Sequence, residues 1–227
     1  MYKDRKFLAI IPARGGSKRL PNKNILDLNG EPLIGWSIKA GKNSKYIDKV
    51  VVSSDSDKIL DIAKRYKVDT LKRPDNLATD TATTIDVLKH VLDNYKEYDY
   101  LILLQPTSPL RNEKHIDEAI ELLEQKNANA VVSVCEMEHS PLWSNTLDSS
   151  LSMGDFLKEE VLNKRSQDLD KFYRLNGAIY ICKTDKLLEE ESFFLKENIF
   201  AYIMDRKHSI DIDEEIDFKL AEVLIKR

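Results

Sequence analysis

The sequence has few cysteines and no long apolar run, and each of these shortages excludes a class of protein. Its 227 residues include two cysteines, Cys135 and Cys182, and both stand in apolar runs typical of strands. We expect buried free thiols, and therefore a protein of the reducing cytoplasm rather than a disulfide-linked secreted one. No apolar run approaches the roughly 20 residues that cross a bilayer, so the sequence predicts a soluble protein without a membrane partner.

An excess of positive charge and metal-ligand spacing are missing as well. Lysine and arginine total 35 against 39 aspartate and glutamate, a net charge of −4, and this balance argues against a nucleic acid as partner. His90 and His115 have no cysteine or histidine at zinc-ligand spacing, so no zinc site is predicted. The first residues lack the apolar stretch of a signal peptide, and no Gly-x-Ser-x-Gly motif indicates nucleophilic catalysis.

What the sequence does contain is a regular alternation of apolar strands and amphipathic helices. Strands are predicted at 7–11, 49–54, 68–72, 100–104 and 130–136. Between them apolar residues recur about every 3.6 positions, as in the helix with Ile59, Ala63 and Tyr66 on one face. This alternation predicts an α/β protein whose mostly parallel sheet is flanked by helices. Ligands of such sheets bind beyond the carboxyl ends of the strands.

The regular pattern breaks between residues 138 and 172, where the chain is charged and irregular. This segment is too long for a simple connection. We expect a flap, a small subdomain or an oligomer arm, inserted in a single domain that spans residues 1–227. The alternation then resumes with strands at 175–182 and 200–204 and a closing helix from about residue 214.

The loop after the first predicted strand combines flexible glycines with positive charge. Gly15 and Gly16 allow the backbone to approach a ligand closely. The basic side chains of the same loop are Arg14, Lys18, Arg19 and Lys23. Backbone amides and cations that converge in this way suit a multiply charged anion, above all a nucleoside triphosphate. The spacing matches neither a P-loop nor a dinucleotide fingerprint, and the alternative interpretation is a solvated basic turn.

Serine and aspartate follow the second predicted strand, in the run Ser53–Asp57. Both residue types are preferred at helix N-termini, where Asp57 also suits the positive end of the helix dipole. Capping is therefore the first interpretation of this run. Contact of Asp55 with a ligand or a second metal ion is the alternative.

Hydroxyl groups are dense between Arg73 and Thr84. Four threonines and Asp80 stand within six residues, which is more than a helix cap requires. We expect Asp80 or Thr81 to cap the helix that follows. Hydroxyls in fixed positions also read the edge of a base, and an arginine such as Arg73 reaches a base carbonyl or a phosphate. Contact with a nucleotide is therefore the second interpretation of this segment.

Two prolines stiffen the turn from Gln105 to Arg111, so that Gln105 and Thr107 are expected to be held in one fixed pose. Farther along the chain, Gly177 stands at the entry to a strand in the run Asn176–Tyr180. A glycine inside a strand indicates close approach of another backbone or of a ligand. Both runs are therefore candidate contacts for a bound molecule.

Paired carboxylates stand near the C-terminus of the sequence. Asp211 and Asp213 are two residues apart, so in an extended segment they point the same way. Such a pair suits Mg²⁺, which proteins often share with substrate phosphates. An acidic helix start, favoured by the helix dipole, is the alternative, and for Asp217 it is the preferred interpretation.

Seven elements of the sequence together resemble one family. They are Ile11–Asn24, Ser53–Asp57, Arg73–Pro74, Leu77–Ala82, Leu104–Arg111, Asn176–Tyr180 and Asp211–Asp213, in this order over nearly the full chain. The chain resembles the CMP-sialic acid synthetase family, the cytidylyltransferases that activate nonulosonic acids. The resemblance implies a Rossmann-like nucleotidyltransferase fold and a transfer of CMP from CTP to the anomeric hydroxyl of a 2-keto sugar acid, with release of pyrophosphate.

The resemblance also implies roles for individual residues. Those implied to bind the nucleotide are Ala13, Arg14, Lys18, Lys23, Asn24, Arg73, Thr84 and Gln105. Asp211 with Asp213 is implied to carry Mg²⁺, and the resemblance also implies that this pair acts with Arg14 and Lys23 in catalysis. Those implied to contact the sugar are Gln105, Arg165 and Tyr180. A homodimer formed through the 138–172 segment is implied as well.

The acceptor sugar is where the sequence departs from the family pattern. Trp143 stands where some sialic acid enzymes carry a basic side chain, and Ser166 replaces one cation of a familiar Arg-Arg-Gln-Asp run. Sialic acid is the expected acceptor, with legionaminic or pseudaminic acid as alternatives. Two rival interpretations remain: a related enzyme for 3-deoxy-manno-octulosonate, and a catalytically silent nucleotide-binding protein on the same fold.

Overall fold

A computed structural model describes residues 2–79 and 81–225 of the chain. Its strands are β1 (Phe7–Pro12), β2 (Asp27–Leu28), β3 (Glu31–Pro32), β4 (Lys49–Ser54), β5 (Asp69–Lys72), β6 (Tyr100–Leu103), β7 (Ala130–Glu136), β8 (Tyr173–Lys183) and β9 (Ile199–Met204). Its α-helices are α1 (Leu33–Asn43), α2 (Asp57–Arg65), α3 (Thr84–Asn94), α4 (Glu113–Gln125), α5 (Thr184–Glu190) and α6 (Glu215–Ile225). The short strands β2 and β3 were not predicted from the sequence, and the other seven strands match the predicted ones to within a few residues at each end.

Seven of the strands form one sheet in the order β5-β4-β1-β6-β8-β7-β9, and β2 and β3 form a separate hairpin. Strand β8 runs antiparallel to both of its neighbours, and the other neighbouring pairs are parallel. In the centre of the sheet Ala9 of β1 lies between Val50 of β4 and Ile102 of β6. The predicted α/β fold with a mostly parallel sheet is therefore confirmed.

Both faces of the sheet are buried under helices, because alternate residues of each strand point to opposite sides. Phe7 and Ile11 of β1 pack with apolar residues of α1, α2 and α4 on one face. Leu8 and Ile10 pack with residues of α3 and α5 on the other face. Burial on both faces explains why the central strands read as continuous apolar runs rather than as alternating ones.

The three central parallel strands end at one edge of the sheet, where short backbone hydrogen bonds continue the ladder into the loops. The amide of Ala13 donates to the carbonyl of Ser53 at 2.9 Å, and that of Arg73 donates to Ser54 at 2.8 Å. The amide of Leu104 donates to Ile10 at 3.0 Å. Three loops that carry the candidate residues are thereby brought side by side.

The predicted helix caps need two corrections. Thr83, not Thr81, is the N-cap of α3: its hydroxyl accepts from the amide of Asp86, whose carboxylate accepts from the Thr83 amide. Asp80, the other predicted cap, lies outside the described residues. For α2 the N-cap is Ser56, whose side chain makes no capping bond, while the hydroxyl of Ser54 accepts from the Ser56 amide. Thr83 caps α3 because it directly precedes the first helical residue, where its hydroxyl reaches a free amide of the first turn.

The segment at 138–172 is irregular, as predicted, and contains single-turn 3₁₀ helices such as Pro141–Trp143 and Ser166–Asp168. It presents several apolar side chains to solvent. They are Leu147, Leu151, Met153 and Leu162. Its role as a flap or dimer arm stays a prediction.

Two further predictions concern the cysteines and the membrane. Cys135 and Cys182 are buried free thiols, as predicted. Within residues 2–79 and 81–225, no helix combines the length and the apolar character needed to cross a membrane.

Candidate active site

A cleft of about 580 Å³ opens at the carboxyl ends of the central strands. Residues predicted to form the site that line it are Arg14, Lys18, Lys23, Asn24, Arg73, Thr84, Gln105 and Asp213. They come from five separate parts of the chain, and the parallel strands bring them together because these strands end at one edge. Ala13 is buried behind the loop and does not line the cleft. The position of this cleft agrees with the general placement of ligands in open α/β sheets.

The backbone of the basic loop is held by side chains rather than by secondary structure. The carboxylate of Asp55 accepts from the amide of Gly15 at 2.9 Å, and the buried amide of Asn24 donates to the carbonyl of Arg14 at 2.9 Å. A Cβ atom on Gly15 would lie 3.0 Å from the Cβ of Ser56, so a larger residue here would require one of the two loops to shift. Asp55 and Asn24 therefore hold the loop in shape, and its cations are presented on a fixed backbone.

Asp213 links this loop to the C-terminal part of the chain. One oxygen of its carboxylate lies 3.2 Å from the Lys23 ammonium and the other 3.3 Å from the Arg19 guanidinium. Lys23, whose side chain is half-buried, also donates to the carbonyl of Ile212. Two cations of the loop and one predicted metal-binding carboxylate therefore meet in direct contact.

Arg73 forms the opposite wall of the cleft and is buried. Its guanidinium donates to the carbonyl of Ser53 at 2.9 Å. Burial lowers the pKa of Arg73, and the nearby carboxylate of Asp55 acts against that shift. The side chain remains a cation at neutral pH, because the pKa of arginine is so high to begin with, and its direction is set by the strand end it binds.

Gln105, Gly177 and Asp211 converge beside this cleft. Gly177 has a φ of +72°, and a Cβ atom there would lie 2.9 Å from Oε1 of Gln105 and 3.3 Å from Oδ2 of Asp211. The amide of Ile212 donates to the carbonyl of Thr107 at 2.8 Å, which joins the proline-rich turn to the aspartate pair. A close approach at Gly177 is therefore present, but it is made by two side chains rather than by the backbone or ligand that the sequence predicted.

The environment of Asp211 differs from that of Asp213. Asp211 is accessible to solvent, but surrounding protein atoms withhold much of its hydration, and this desolvation raises the pKa of its carboxyl group. A hydrogen bond with the Thr107 side chain acts in the opposite direction. The pair therefore consists of one partly desolvated carboxylate, Asp211, and one carboxylate already paired with cations, Asp213.

The two remaining sugar-site candidates lie in different surroundings. Tyr180 of β8 packs against Phe193 with ring centroids 5.3 Å apart, and burial and the charge of Asp211 raise its pKa. Arg165 is exposed, pairs with Asp168 at 2.9 Å and does not line the cleft. The structure therefore places Tyr180 on the Asp211 side of the site and leaves Arg165 in the 138–172 segment.

The carboxylates are compatible with a hard divalent cation. Mg²⁺ is usually bound through one or two protein carboxylates and the phosphates of a substrate, with water completing its shell. Asp211 and Asp213 supply that number of carboxylates. Among residues 2–79 and 81–225, no group of three or more His, Cys, Asp or Glu side chains forms a metal site complete in itself. The donor set thus fits a metal that arrives together with its substrate.

Two buried polar residues near the site carried no assignment from the sequence. Asn176 is 1% exposed; its side-chain oxygen Oδ1 accepts from the Ser133 hydroxyl at 2.6 Å and its side-chain nitrogen Nδ2 donates to the Ser209 hydroxyl at 2.9 Å. It thereby fastens the segment that leads to Asp211. Arg111, at the end of the proline-rich turn, is also 1% exposed. Their place in short polar motifs was the only sequence signal that pointed to them, and such a motif does not show that a side chain is buried.

Sequence comparison identifies close relatives. N-acylneuraminate cytidylyltransferase from Escherichia coli O18:K1:H7 is 40% identical over 217 residues, covering 95% of this chain and 51% of that protein. CMP-N,N'-diacetyllegionaminic acid synthase from Legionella pneumophila is 37% identical, covering 97% of each protein. Pseudaminic acid cytidylyltransferase from Campylobacter jejuni is 35% identical, again covering 97% of each. The chain spans about half the length of the N-acylneuraminate relative.

Structural comparison supports the fold. A solved CMP:2-keto-3-deoxy-manno-octonic acid synthetase complexed with CTP superposes with a TM-score of 0.74 at 17% identity, covering 97% of this chain and 98% of that one. A protein-family model described as Cytidylyltransferase matches residues 8–224, which is nearly the whole sheet and every residue of the cleft. The chain belongs to the cytidylyltransferase family.

Proposed function

We propose that the protein transfers CMP from CTP to the anomeric hydroxyl of a nonulosonic acid. The sugar oxygen attacks the α-phosphorus, the bond from that phosphorus to the bridging oxygen breaks, and pyrophosphate leaves. The observation that carries this proposal is the single cleft in which Arg14, Lys18 and Lys23 face Arg73 and Asp213. The names of the three relatives above support the sugar class, since each describes a nonulosonic acid enzyme.

The cations of the loop would bind the triphosphate. Attack on phosphorus needs in-line positioning and neutralisation of charge more than covalent help. Arg14 and Lys23 would supply charge to the reacting phosphates, with Lys18 beside them. The backbone of the loop, held by Asp55 and Asn24, would carry these side chains on a fixed base.

The cytidine would lie against the opposite wall. Arg73 is buried and aimed by its bond to Ser53, so its remaining donors suit a carbonyl oxygen of the base or a phosphate. Thr84 at the start of α3 lines the same wall. The four threonines of this segment split their roles, since Thr83 caps α3 while Thr79 accepts from the Ala82 amide.

Asp211 and Asp213 would hold Mg²⁺ against the phosphates. When bound, the ion supplies positive charge that neutralises the triphosphate. Asp213 would have to exchange its contacts with Lys23 and Arg19 for this role, which frees both cations for the nucleotide. Asp211, partly desolvated beside Gly177, would hold its position throughout.

The acceptor sugar would occupy the side of the cleft formed by Gln105 and Tyr180. Arg165 would reach the carboxylate of the sugar only through movement of the 138–172 segment or from a second copy of the chain. A homodimer formed through this segment is consistent with its exposed Leu151 and Met153. Sialic acid is the first candidate acceptor, and legionaminic and pseudaminic acids are the alternatives.

Pyrophosphate release tests the function directly. The protein is mixed with CTP and Mg²⁺ and with sialic, legionaminic, pseudaminic and 3-deoxy-manno-octulosonic acids in turn. We expect release with CTP and a nonulosonic acid, and the sugar with the highest kcat/KM identifies the acceptor. Release only with 3-deoxy-manno-octulosonate would move the protein to the related enzyme class. CTP binding without release with any sugar would indicate a silent nucleotide-binding protein.

A further inference from the structure

Arg111 is a fully buried cation. It ends the turn that begins at Gln105, and its side chain is 1% exposed. Among residues 2–79 and 81–225, no carboxylate forms an ion pair with it, and burial lowers its pKa to about 9, so it stays protonated at neutral pH. An unpaired buried charge is costly. Packing alone would be served better by an apolar side chain, so the guanidinium has another role.

The guanidinium binds three separate elements of the fold. Its Nη2 donates to the hydroxyl of Ser37 in α1 at 2.8 Å and to the carbonyl of Gln105 at 3.1 Å. Its Nε donates to the carbonyl of Ala178 in β8 at 3.2 Å. The Ser37 hydroxyl in turn donates to the Gln105 carbonyl at 3.1 Å. One planar group thus joins helix α1, the end of β6 and strand β8.

The residues it joins are those that border the acceptor side of the site. The backbone carbonyl of Gln105 is bound directly, and Ala178 follows Gly177, the residue against which the Gln105 side-chain oxygen and the Asp211 carboxylate both lie. The space there is tight, since a single added carbon at Gly177 would lie 2.9 Å from Gln105 Oε1. A small shift of either strand would therefore change the separation of these two functional groups.

Arginine suits this role for a geometric reason. Its donors lie in one rigid plane and point in fixed directions, whereas a lysine ammonium is a flexible point charge that cannot reproduce the fork. We propose that Arg111 is a positioning residue, which holds Gln105 at a fixed place relative to Asp211 across Gly177 and so orients the acceptor sugar. It would not touch either substrate. This inference rests on the proposed function for its link to the sugar.

A double-mutant cycle tests whether Arg111 acts through Gln105. The variants are Arg111→Lys, Gln105→Ala and the combination, and the readouts are kcat and KM for sugar and CTP. We expect Arg111→Lys to lower kcat/KM for the sugar by up to about 100-fold, as a displaced contact group does, with a change in KM for CTP below about threefold. The double variant should be no slower than the slower single variant, because both remove one contact. Multiplicative losses, or an equal loss towards CTP, would overturn the proposal.

A structural readout makes the test independent of turnover. The side-chain amide signals of Gln105 in a ¹⁵N-labelled sample, identified by their loss in Gln105→Ala, should shift or broaden in Arg111→Lys. Ser37→Ala removes one hydrogen-bond partner of the Arg111 guanidinium and is less disruptive to folding than Arg111→Lys. It should shift or broaden the Gln105 amide signals in the same way. Asp117→Asn, which alters a buried bond between α4 and Ser44, is the matched control and should leave them unchanged.

The two readouts separate the possible failures. If the wild-type protein transfers CMP to no sugar, the proposed function fails, while the amide signals still report whether Arg111 positions Gln105. If Ser37→Ala and Arg111→Lys leave the Gln105 signals unchanged in folded protein, Arg111 is not a positioning residue, whatever the activity.

Discussion

The carboxylate of Asp213 lies 3.2 Å from the ammonium nitrogen of Lys23, although 190 residues separate them in the chain. The same carboxylate contacts Arg19. Asp213 therefore neutralises part of the positive charge of the basic loop. Binding of a triphosphate must break these contacts, so Asp213 is expected to oppose the nucleotide in the absence of metal.

Replacing Asp213 separates its competition with the nucleotide for Lys23 and Arg19 from its role in catalysis. Because Asp213→Asn frees Lys23 and Arg19, we expect CTP without Mg²⁺ to bind about fivefold more tightly, the size of one solvent-exposed charge contact. Turnover with Mg²⁺ should fall at the same time. Titration calorimetry with EDTA and with Mg²⁺ measures both affinities. Asp205→Asn, an exposed acid that does not line the cleft, is the control; weaker metal-free binding by Asp213→Asn would contradict the prediction.

Arg14 is expected to act mainly on the transition state. We expect Arg14→Ala to slow CMP transfer by about 100-fold or more, as loss of a preorganised charged donor typically does. Steady-state pyrophosphate release gives the rate. Arg65→Ala removes an exposed arginine of α2 that does not line the cleft and should leave the rate unchanged. Near-normal transfer by a folded Arg14→Ala variant would exclude the role.

Gly177 and Gly30 both have a positive φ, so comparing alanine variants of the two separates backbone strain from side-chain crowding. Alanine at a positive φ costs about 1–2 kcal/mol, so Gly177→Ala and Gly30→Ala, at +72° and +83°, should both lower the free energy of unfolding. Nothing lies within 4 Å of a Cβ atom at Gly30, whereas one at Gly177 meets Gln105 and Asp211. We therefore expect loss of kcat/KM for the sugar in Gly177→Ala alone. The melting temperature Tm measures the loss of stability in both variants. Equal kcat/KM of the two variants for the sugar would refute the expected effect of crowding at Gly177.

His115 is expected to make stability depend on pH. Burial, together with the nearby His208, lowers the pKa of His115 to about 4. The unfolded chain takes up this proton near pH 6.5, so stability from the neutral ring is present above that pH and is lost as the pH falls towards about 4. His115→Gln keeps a side chain able to bond the Asn112 amide, as the ring does now, but does not titrate.

The comparison is made by melting temperature across this pH range. Wild type should lose more stability than His115→Gln as the pH falls, while the exposed His139→Gln control should follow wild type. Parallel curves for wild type and His115→Gln would contradict the expectation.

The 138–172 segment is testable by its apolar side chains. If Leu151 and Met153 lie in a homodimer interface, the double variant Leu151→Asp, Met153→Asp should be monomeric by light scattering, because two buried charges oppose association. Leu188→Asp, on the exposed face of α5, is the control and should not change the mass. A monomeric wild-type protein would remove the basis for the dimer.

Local patterns predicted most of the fold because strand and helix periodicity is a property of neighbouring residues. Strand β4 was predicted at its observed bounds, and the cleft lies where the ends of β1, β4 and β6 were expected to bring their loops. The helix caps were harder to predict. Thr83 rather than Thr81 caps α3, because a difference of one or two residues in where the helix begins changes which hydroxyl meets the free amides.

The sequence by itself determined the order of the seven sheet strands along the chain, the basic glycine loop and the aspartate pair, because each is encoded in a few consecutive residues. Only the tertiary structure decided that Asp55 holds the amide of Gly15, that Asp213 pairs with Lys23, and that Arg165 stays outside the cleft. It also decided that Arg111 is buried, although an arginine in a polar turn would be expected at the surface. Contacts between distant residues depend on how the strands pack, and that packing is a property of the whole chain rather than of any one motif.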